Sequence, residues 1–370
     1  MATSQWTALL KNRLATSLVS LFFLSAATGA HSQSVFPDTK WLVSSEADQA
    51  PVWSSEKFKL ADEYAASIRS DAYLVIHRGR LVHTYGDITQ PMNLASVRKS
   101  VLSILYGIYV DRGRIDLNES LADLNITDKG GLSATERTAT VRQLLQGRSG
   151  VYHPAAYETA EAKKERPARG SHAPGQFWYY NNWDFNTLGT IFQQKTGKSV
   201  YEAFKADLAD PLQLEDFRYP EDLELVYERA SDHPAYVMKL SARDLARIGL
   251  LVSRGGQWRG KDIVSSNWLQ ESTTAYSTVG RGLNGYGYMW WVPQKAFPFW
   301  RHSGNQLAFA VGTGGQFMLI DRVRDIVIVH RVNNGRPWFM RYEVTGEQFA
   351  QLAARILAAA PEEVLRLPSP

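Results

Sequence analysis

A chain of 370 residues exceeds one average domain, so it must fold as a single large unit or as two lobes. With 44% hydrophobic and 21% charged residues it has the make-up of an ordinary globular protein, and its net charge of +4 forms no basic run that would mark a nucleic-acid surface. The absence of cysteine removes thiol catalysis, cysteine-held metals and disulfide staples.

Taken in chain order, the first element is an apolar run, LATSLVSLFFLSAATGA, preceded by Lys11 and Arg13 and ending in small residues. Residues 1–32 are expected to be a secretory signal peptide, cleaved after Ala30 or Ser32, with an uncleaved anchor as the alternative. The mature protein is then periplasmic or secreted and keeps no stable membrane anchor. DAYLVIHRGRLVHTYG (71–86) is apolar on both sides of Arg78–Gly79 and reads as a β-hairpin. LASVRKSVLSILYGIYVDRG (94–113) reads as an apolar helix entered through Ser96. Its first turn carries Arg98 and Lys99, two cations at the end where the helix dipole disfavours them.

Helix and loop signals dominate from there to about residue 235. Ser133 and Glu136 stand at capping-box spacing before an apolar run that stops at Gly147. SARDLARIGLLVSRGG (241–256) starts on Ser241, ends on a glycine pair and reads as a helix. Strand signals return in GYGYMWWV (285–292), AFAVGTGGQFMLI (308–320) and DIVIVHRV (325–332). A last helix opens with the Thr345/Gln348 pair. This order predicts an α/β fold of the α+β kind, an antiparallel sheet flanked by helices and built from both chain ends. One domain over 33–365 is expected, with a sheet lobe about 33–95 and 236–365 and a mainly helical lobe about 96–235.

There is no G-x-S-x-G, H-E-x-x-H or Walker pattern and no strand-linked G-x-G-x-x-G, and the eight histidines show no ligand spacing. No metal or organic cofactor is implied. What remains is Ser-x-x-Lys, which occurs at Ser54/Lys57 and at Ser96/Lys99. The first lies in a polar stretch, WSSEKFK, with no apolar helix immediately behind it, and reads as surface. The second opens an apolar helix and places both side chains on one face. Ser96 is then either an N-cap beside a solvated lysine or the partner of a partly buried amine. Burial and the positive helix end lower such an amine's pKa and let it take the serine's proton.

PGQFWYYNNWDFNTLGTIF (174–192) holds Tyr-x-Asn twice, at Tyr179/Asn181 and Tyr180/Asn182. A tyrosine relays protons and an asparagine holds an amine or a substrate amide; the alternative is an aromatic loop packed on the core. The glycines of AVGTGGQF (310–317) allow close backbone approach, so a strand N–H there and that of Ser96 would make an oxyanion hole; the alternative is a bulge or bend.

Together these elements resemble the penicillin-recognising serine hydrolases: class C β-lactamases, family VIII carboxylesterases, DD-peptidases and 6-aminohexanoate-dimer hydrolases. The resemblance covers nearly the whole mature chain. RQLLQGRSGVY (142–152) looks like the family's HLLTHTSG segment, and the spacing from Pro174-Gly175 to Gly189 selects Tyr180 over Tyr179. AVGTGGQFMLID and GYGYMWWV are similar to the 6-aminohexanoate-dimer hydrolase branch. The third motif departs from Lys-Thr-Gly, and either Ala310-Val311-Gly312 or His302-Ser303-Gly304 fills its slot, the former being preferred.

The resemblance implies Ser96 as nucleophile, Lys99 and Tyr180 as base and relay, Asn182 as their support, and the N–H groups of Ser96 and Thr313 as oxyanion donors. It implies a small ester or amide substrate. Without a strand cation a substrate carboxylate loses its partner. A DD-peptidase or weak β-lactamase is therefore the runner-up, and a non-catalytic penicillin-binding-like sensor is the alternative of another class. Neither Arg98 nor the oligomeric state receives an assignment.

Overall fold

The computed structural model describes residues 35–43, 52–279, 285–293, 306–337 and 340–366. The expected leader and His302-Ser303-Gly304 lie outside them. Strands β1 (Ala72–His77) and β2 (Arg80–Gly86) form the predicted hairpin. A small sheet, ordered β3-β5-β4, comprises β3 (Met92–Asn93), β4 (Leu223–Val226) and β5 (Ala235–Leu240). The pair β6 (Gln257–Trp258) and β7 (Lys261–Asp262) stands apart.

The remaining strands are β8 (Ser277–Thr278), β9 (Gly285–Tyr286), β10 (Trp291–Val292), β11 (Leu307–Gly312), β12 (Gln316–Asp321) and β13 (Ile326–Arg331). They join the hairpin in an eight-stranded antiparallel sheet, β2-β1-β13-β12-β11-β10-β9-β8. The sheet is thus built from both chain ends, as the sequence predicts.

The helices that matter for the site are α1 (Ser55–Ser67), α2 (Val97–Asp111), α3 (Val141–Leu145), α4 (Ala160–Glu165) and α5 (Asn182–Thr196). They are followed by α6 (Val200–Phe204), α7 (Asp210–Leu212), α8 (Ala242–Ser253), α9 (Ser266–Ser272) and α10 (Gly346–Ala358). Among the described residues no helix is long and apolar enough to cross a membrane.

Both faces of the central strands are buried, which is why they read as continuous apolar runs. Leu74, Ile76, Met318 and Val327 point into the core that holds α2 and α8. Their alternates Tyr73, Val75, Leu319 and Ile328 point into a second core with Phe58 of α1 and Phe349 of α10. A Cβ on Gly249 of α8 would stand 2.5 Å from the Val327 side chain, so glycine is what lets this helix lie close on the sheet. Helix α2 is buried on all sides from Val97 to Tyr109. Burying Leu102 or Ile104 there contributes about 1.5–3 kcal/mol each, enough to carry polar groups into the same helix.

Four segments differ from expectation, each for a tertiary or dihedral reason. WSSEKFK is at the surface, with Lys57 exposed, but it is itself the start of a helix, α1, capped by Ser54 and seated by burial of Phe58, Ala61 and Ala65. Ser133 and Glu136 do cap reciprocally, but only a single turn at Glu136–Thr138 follows. The extended backbone at Ala139 pairs with the 119–121 segment, and a second capping box at Thr140/Gln143 then opens α3.

GYGYMWWV is two short strands, because Met289 turns at φ +61° and Gly287 N–H closes on the Trp290 carbonyl at 2.9 Å. AVGTGGQF is not one strand but the β11–β12 hairpin, turning through Gly314 at φ +85° and Gly315 at φ +101°. Those torsions are open to glycine and costly for residues with a Cβ.

Candidate active site

Ser96 stands at the mouth of α2, immediately after a tight connection from β3. Leu94 N–H bonds to the Met238 carbonyl of β5 at 2.9 Å, and Ala95 adopts φ +47°. Ser96 itself has φ −79° and ψ −8°, and its side chain caps nothing. This disposes of the N-cap alternative and leaves the hydroxyl to other partners. Lys99, one turn on, is only 2% exposed, and its Nζ lies 3.0 Å from Ser96 Oγ.

Two further groups converge on the same amine: Tyr180 Oη at 2.9 Å and Asn182 Oδ1 at 2.8 Å. Tyr180 is held by rings, stacked on Trp291 with centroids 5.6 Å apart and edge-on to Tyr286 at 6.0 Å. Tyr179 points elsewhere and donates to the Ala162 carbonyl at 2.7 Å, so the structure brings Tyr180 and not Tyr179 to Ser96. Asn181 caps α5 by accepting from Trp183 N–H, which places Asn182 at the first helical position with its amide toward Lys99. The Arg148–Val151 segment braces this helix start: Ser149 donates to the buried Asp184, and Asn181 Nδ2 donates to the Val151 carbonyl at 2.7 Å. The RSGVY stretch therefore supports the site from behind.

The third wall is β11. A Cβ on Gly312 would stand 2.5 Å from the Leu94 carbonyl oxygen and 3.0 Å from Ser96 N. Ala310-Val311-Gly312 is the segment that the described structure brings against Ser96. Thr313, in the turn that follows, lines the same cleft, with Asn334 Nδ2 donating to its carbonyl at 3.0 Å.

Burial sets the protonation of the cluster. Lys99 is pushed well below the usual lysine range, chiefly by desolvation and further by Arg98, with Glu158 opposing. Desolvation pushes Tyr180 up to about 12, against its bond to Ser96 and the charge of Arg98. Both shifts favour the neutral forms. A neutral amine has two N–H groups and one lone pair; Asn182 Oδ1 can only accept, so it takes one N–H and frees the lone pair for a hydroxyl proton.

The cluster opens on a cleft of about 1260 Å³ walled by Trp178, Tyr276 and Trp291 on one side and by Tyr157 and Glu158 on another. Sequence reasoning missed Asn93, Arg98 and Tyr157 among its lining residues. Only the misplaced charge of Arg98 could have signalled any of them. Among the described residues no cluster of three His, Asp or Glu side chains is placed to hold a metal ion.

A helix on an antiparallel sheet, opening with serine and lysine one turn apart under a tyrosine and an asparagine, points to the β-lactamase-like class of serine hydrolases. The chain belongs to the β-lactamase family, whose model matches residues 58–348.

Among solved structures it is similar to a protein assigned as a 6-aminohexanoate-dimer hydrolase from Bacillus anthracis. Identity is 23%, with 83% of this chain and 82% of that one covered at a TM-score of 0.60. A β-lactamase from Mycobacterium bovis is 18% identical over 83% of this chain and 100% of that one, TM-score 0.55. A penicillin-binding protein homologue from Caulobacter crescentus is 17% identical over 83% and 98%, TM-score 0.59. At these identities the likeness is one of fold. No curated protein sequence matches the chain.

Proposed function

We propose that this protein is an exported serine hydrolase that cleaves small esters or amides through an acyl-enzyme on Ser96. One observation carries the reading: a buried Lys99 Nζ within 3.0 Å of Ser96 Oγ, Tyr180 Oη and Asn182 Oδ1, at the edge of an open cleft. Ser96 Oγ attacks the substrate carbonyl as its proton passes to Lys99, directly or through Tyr180. The oxyanion is met by the N–H groups of Ser96 and Thr313. Tyr180, re-protonated from Lys99, delivers that proton to the leaving oxygen or nitrogen as its bond to the acyl carbon breaks. Water then attacks the acyl carbon, gives a proton to the same pair, and Ser96 leaves with one.

The strand beside the site supports esters and amides over carboxylate-bearing substrates. With Ala310-Val311-Gly312 in the slot of Lys-Thr-Gly, Gly312 matches the motif's glycine and Ala310 stands where the lysine would be. This strand position therefore offers no cation to pair with a substrate carboxylate.

The test is p-nitrophenyl butyrate hydrolysis with mass spectrometry of the trapped protein. Steady turnover with a butyryl adduct on Ser96, both lost in Ser96→Ala, is the expected result. A single stoichiometric burst marks the sensor reading instead, and unchanged turnover in Ser96→Ala overturns the site. N-terminal sequencing of the exported protein tests cleavage after Ala30 or Ser32.

A further inference from the structure

Arg98 takes no part in these steps, yet it is not a surface cation. It is 2% exposed, and its guanidinium lies 5.3 Å from the ring centre of Tyr157 and 5.4 Å from that of Tyr236. Its Nη1 donates to the Ala95 carbonyl at 2.7 Å. Ala95 holds the left-handed φ of +47°, a conformation that residues with a Cβ avoid unless the surroundings impose it.

The other polar group of Ala95 is held as well. Its N–H donates to Asn93 Oδ1 at 2.7 Å, and Asn93 Nδ2 donates to Tyr157 Oη at 3.0 Å. Asn93, Ala95, Arg98 and Tyr157 thus close a circuit around the residue that precedes Ser96. Tyr157 is anchored in turn, its N–H donating to Glu228 Oε1 at 2.8 Å.

We propose that Arg98, with Asn93 and Tyr157, is the positioning residue of this site: it clasps the strained Ala95 peptide that aims Ser96 and sets a permanent charge beside Lys99. The proposal rests on the hydrolase reading above. A guanidinium suits the task because its edge reaches a carbonyl while its faces lie against rings, and it stays charged at every working pH. An ammonium offers neither the plane nor the fork.

The groups facing Lys99 are few. Ser96 comes from its own helix, Tyr180 from the segment before α5, and Asn182 and Phe185 from α5. The charges acting on it are Arg98, which favours the free amine, and Glu158, from the loop before α4, which opposes. Glu158 is itself held by Arg166 at 2.5 Å and by Ala155 N–H at 3.1 Å. Tyr236 of β5 and Tyr201 of α6 also lie in the field of Arg98, and both are neutral phenols whose pKa burial raises. Arg98 is therefore the dominant cation acting on the amine, and two cations in one desolvated pocket disfavour each other. The pair that looked misplaced at a helix start works as a unit: the Arg98 guanidinium beside Lys99 disfavours a second charge on the amine.

The experiment follows kcat and kcat/KM for p-nitrophenyl butyrate against pH in Arg98→Gln, Arg98→Lys and Asn93→Ala, with thermal melts as a check on folding. Arg98→Gln is expected to raise the midpoint of the acid limb of kcat/KM by about one pH unit and to lower kcat roughly tenfold or more. Arg98→Lys keeps the midpoint but loses kcat, and Asn93→Ala lowers kcat at an unmoved midpoint. Wild-type kcat and midpoint in Arg98→Gln overturn the proposal, and so does a midpoint that stays put while kcat falls. If Arg98→Gln does not fold, the other two variants decide, and unchanged kcat in both overturns it. Failure of the wild type to acylate Ser96 would instead overturn the hydrolase reading, and the butyryl adduct separates the two outcomes.

Discussion

Ser54-Ser55-Glu56-Lys57 and Ser96-Val97-Arg98-Lys99 carry the same spaced pair at the start of a helix, and the fold uses them in opposite ways. Ser54 is extended, with ψ 111°, and its Oγ accepts the backbone N–H of Lys57 at 3.2 Å. Glu56 adds an acid to the first turn, where the dipole favours it, and the Lys57 side chain stays in water. Ser96 is already helical, with ψ −8°, and its Oγ meets the Lys99 amine nitrogen at 3.0 Å instead of a backbone donor. No acid offsets the dipole there. One backbone torsion separates a helix cap from a reactive pair. That torsion is set from outside the motif, by the bond of Leu94 to Met238 and by Gly312 pressed on the backbone of residues 94–96.

The contrast can be broken most sharply at the serines. Ser96→Ala should cut p-nitrophenyl butyrate turnover by about a thousandfold or more, while Ser54→Ala leaves it unchanged. Lys99→Met should lower kcat by roughly 10²–10⁴-fold, against no effect of Lys57→Met.

Lys99→Met also carries a stability signature. The folded-state pKa of Lys99 lies below its ordinary 10.5, so between the two values the unfolded chain binds a proton that the folded chain does not. Wild-type stability therefore rises with pH across that window, and the methionine variant, more stable at its lower end, loses this advantage as pH approaches 10.5. Urea midpoints of both proteins along a pH series measure it.

Activity should follow the same group. kcat/KM falls as pH drops through the lowered pKa of Lys99, and ionisation of Tyr180 limits it only near pH 12. The smallest effect expected is at the capping serine. Ser54→Ala should cost about 1 kcal/mol of stability, read from a denaturant midpoint, at wild-type kcat.

Much of this architecture was legible before folding. The 71–86 hairpin, α2, α8, α10 and the last strand follow from apolar periodicity and from caps at Ser241 and Thr345. Local pattern failed where long-range pairing or a torsion intervened. The Ser133/Glu136 cap formed, but the helix behind it was broken by pairing with residues 119–121. The glycines near 313 were expected to sit in a strand; Gly312 does, ending β11 and making the close contact, while Gly314 and Gly315 make the turn. Ser96 and Lys99 were visible as a same-face pair, and the spacing of the resemblance picked Tyr180. Arg98 stood out only as an oddity, because the rings that enclose it come from residues 157 and 236.

By itself the sequence determined that Ser96 and Lys99 share a helical face and that the helix behind them is apolar enough to be buried, since both follow from periodicity within one turn or a few. It could not decide which Ser-x-x-Lys would hold a free amine. That depends on desolvation, and desolvation is supplied from far along the chain: by Tyr180 and Asn182 over the amine, Gly312 against the serine's backbone, and Arg98 beneath them between two tyrosines. Removing water loosens the proton on a buried amine and a cation close by loosens it further, and here tertiary packing arranges both.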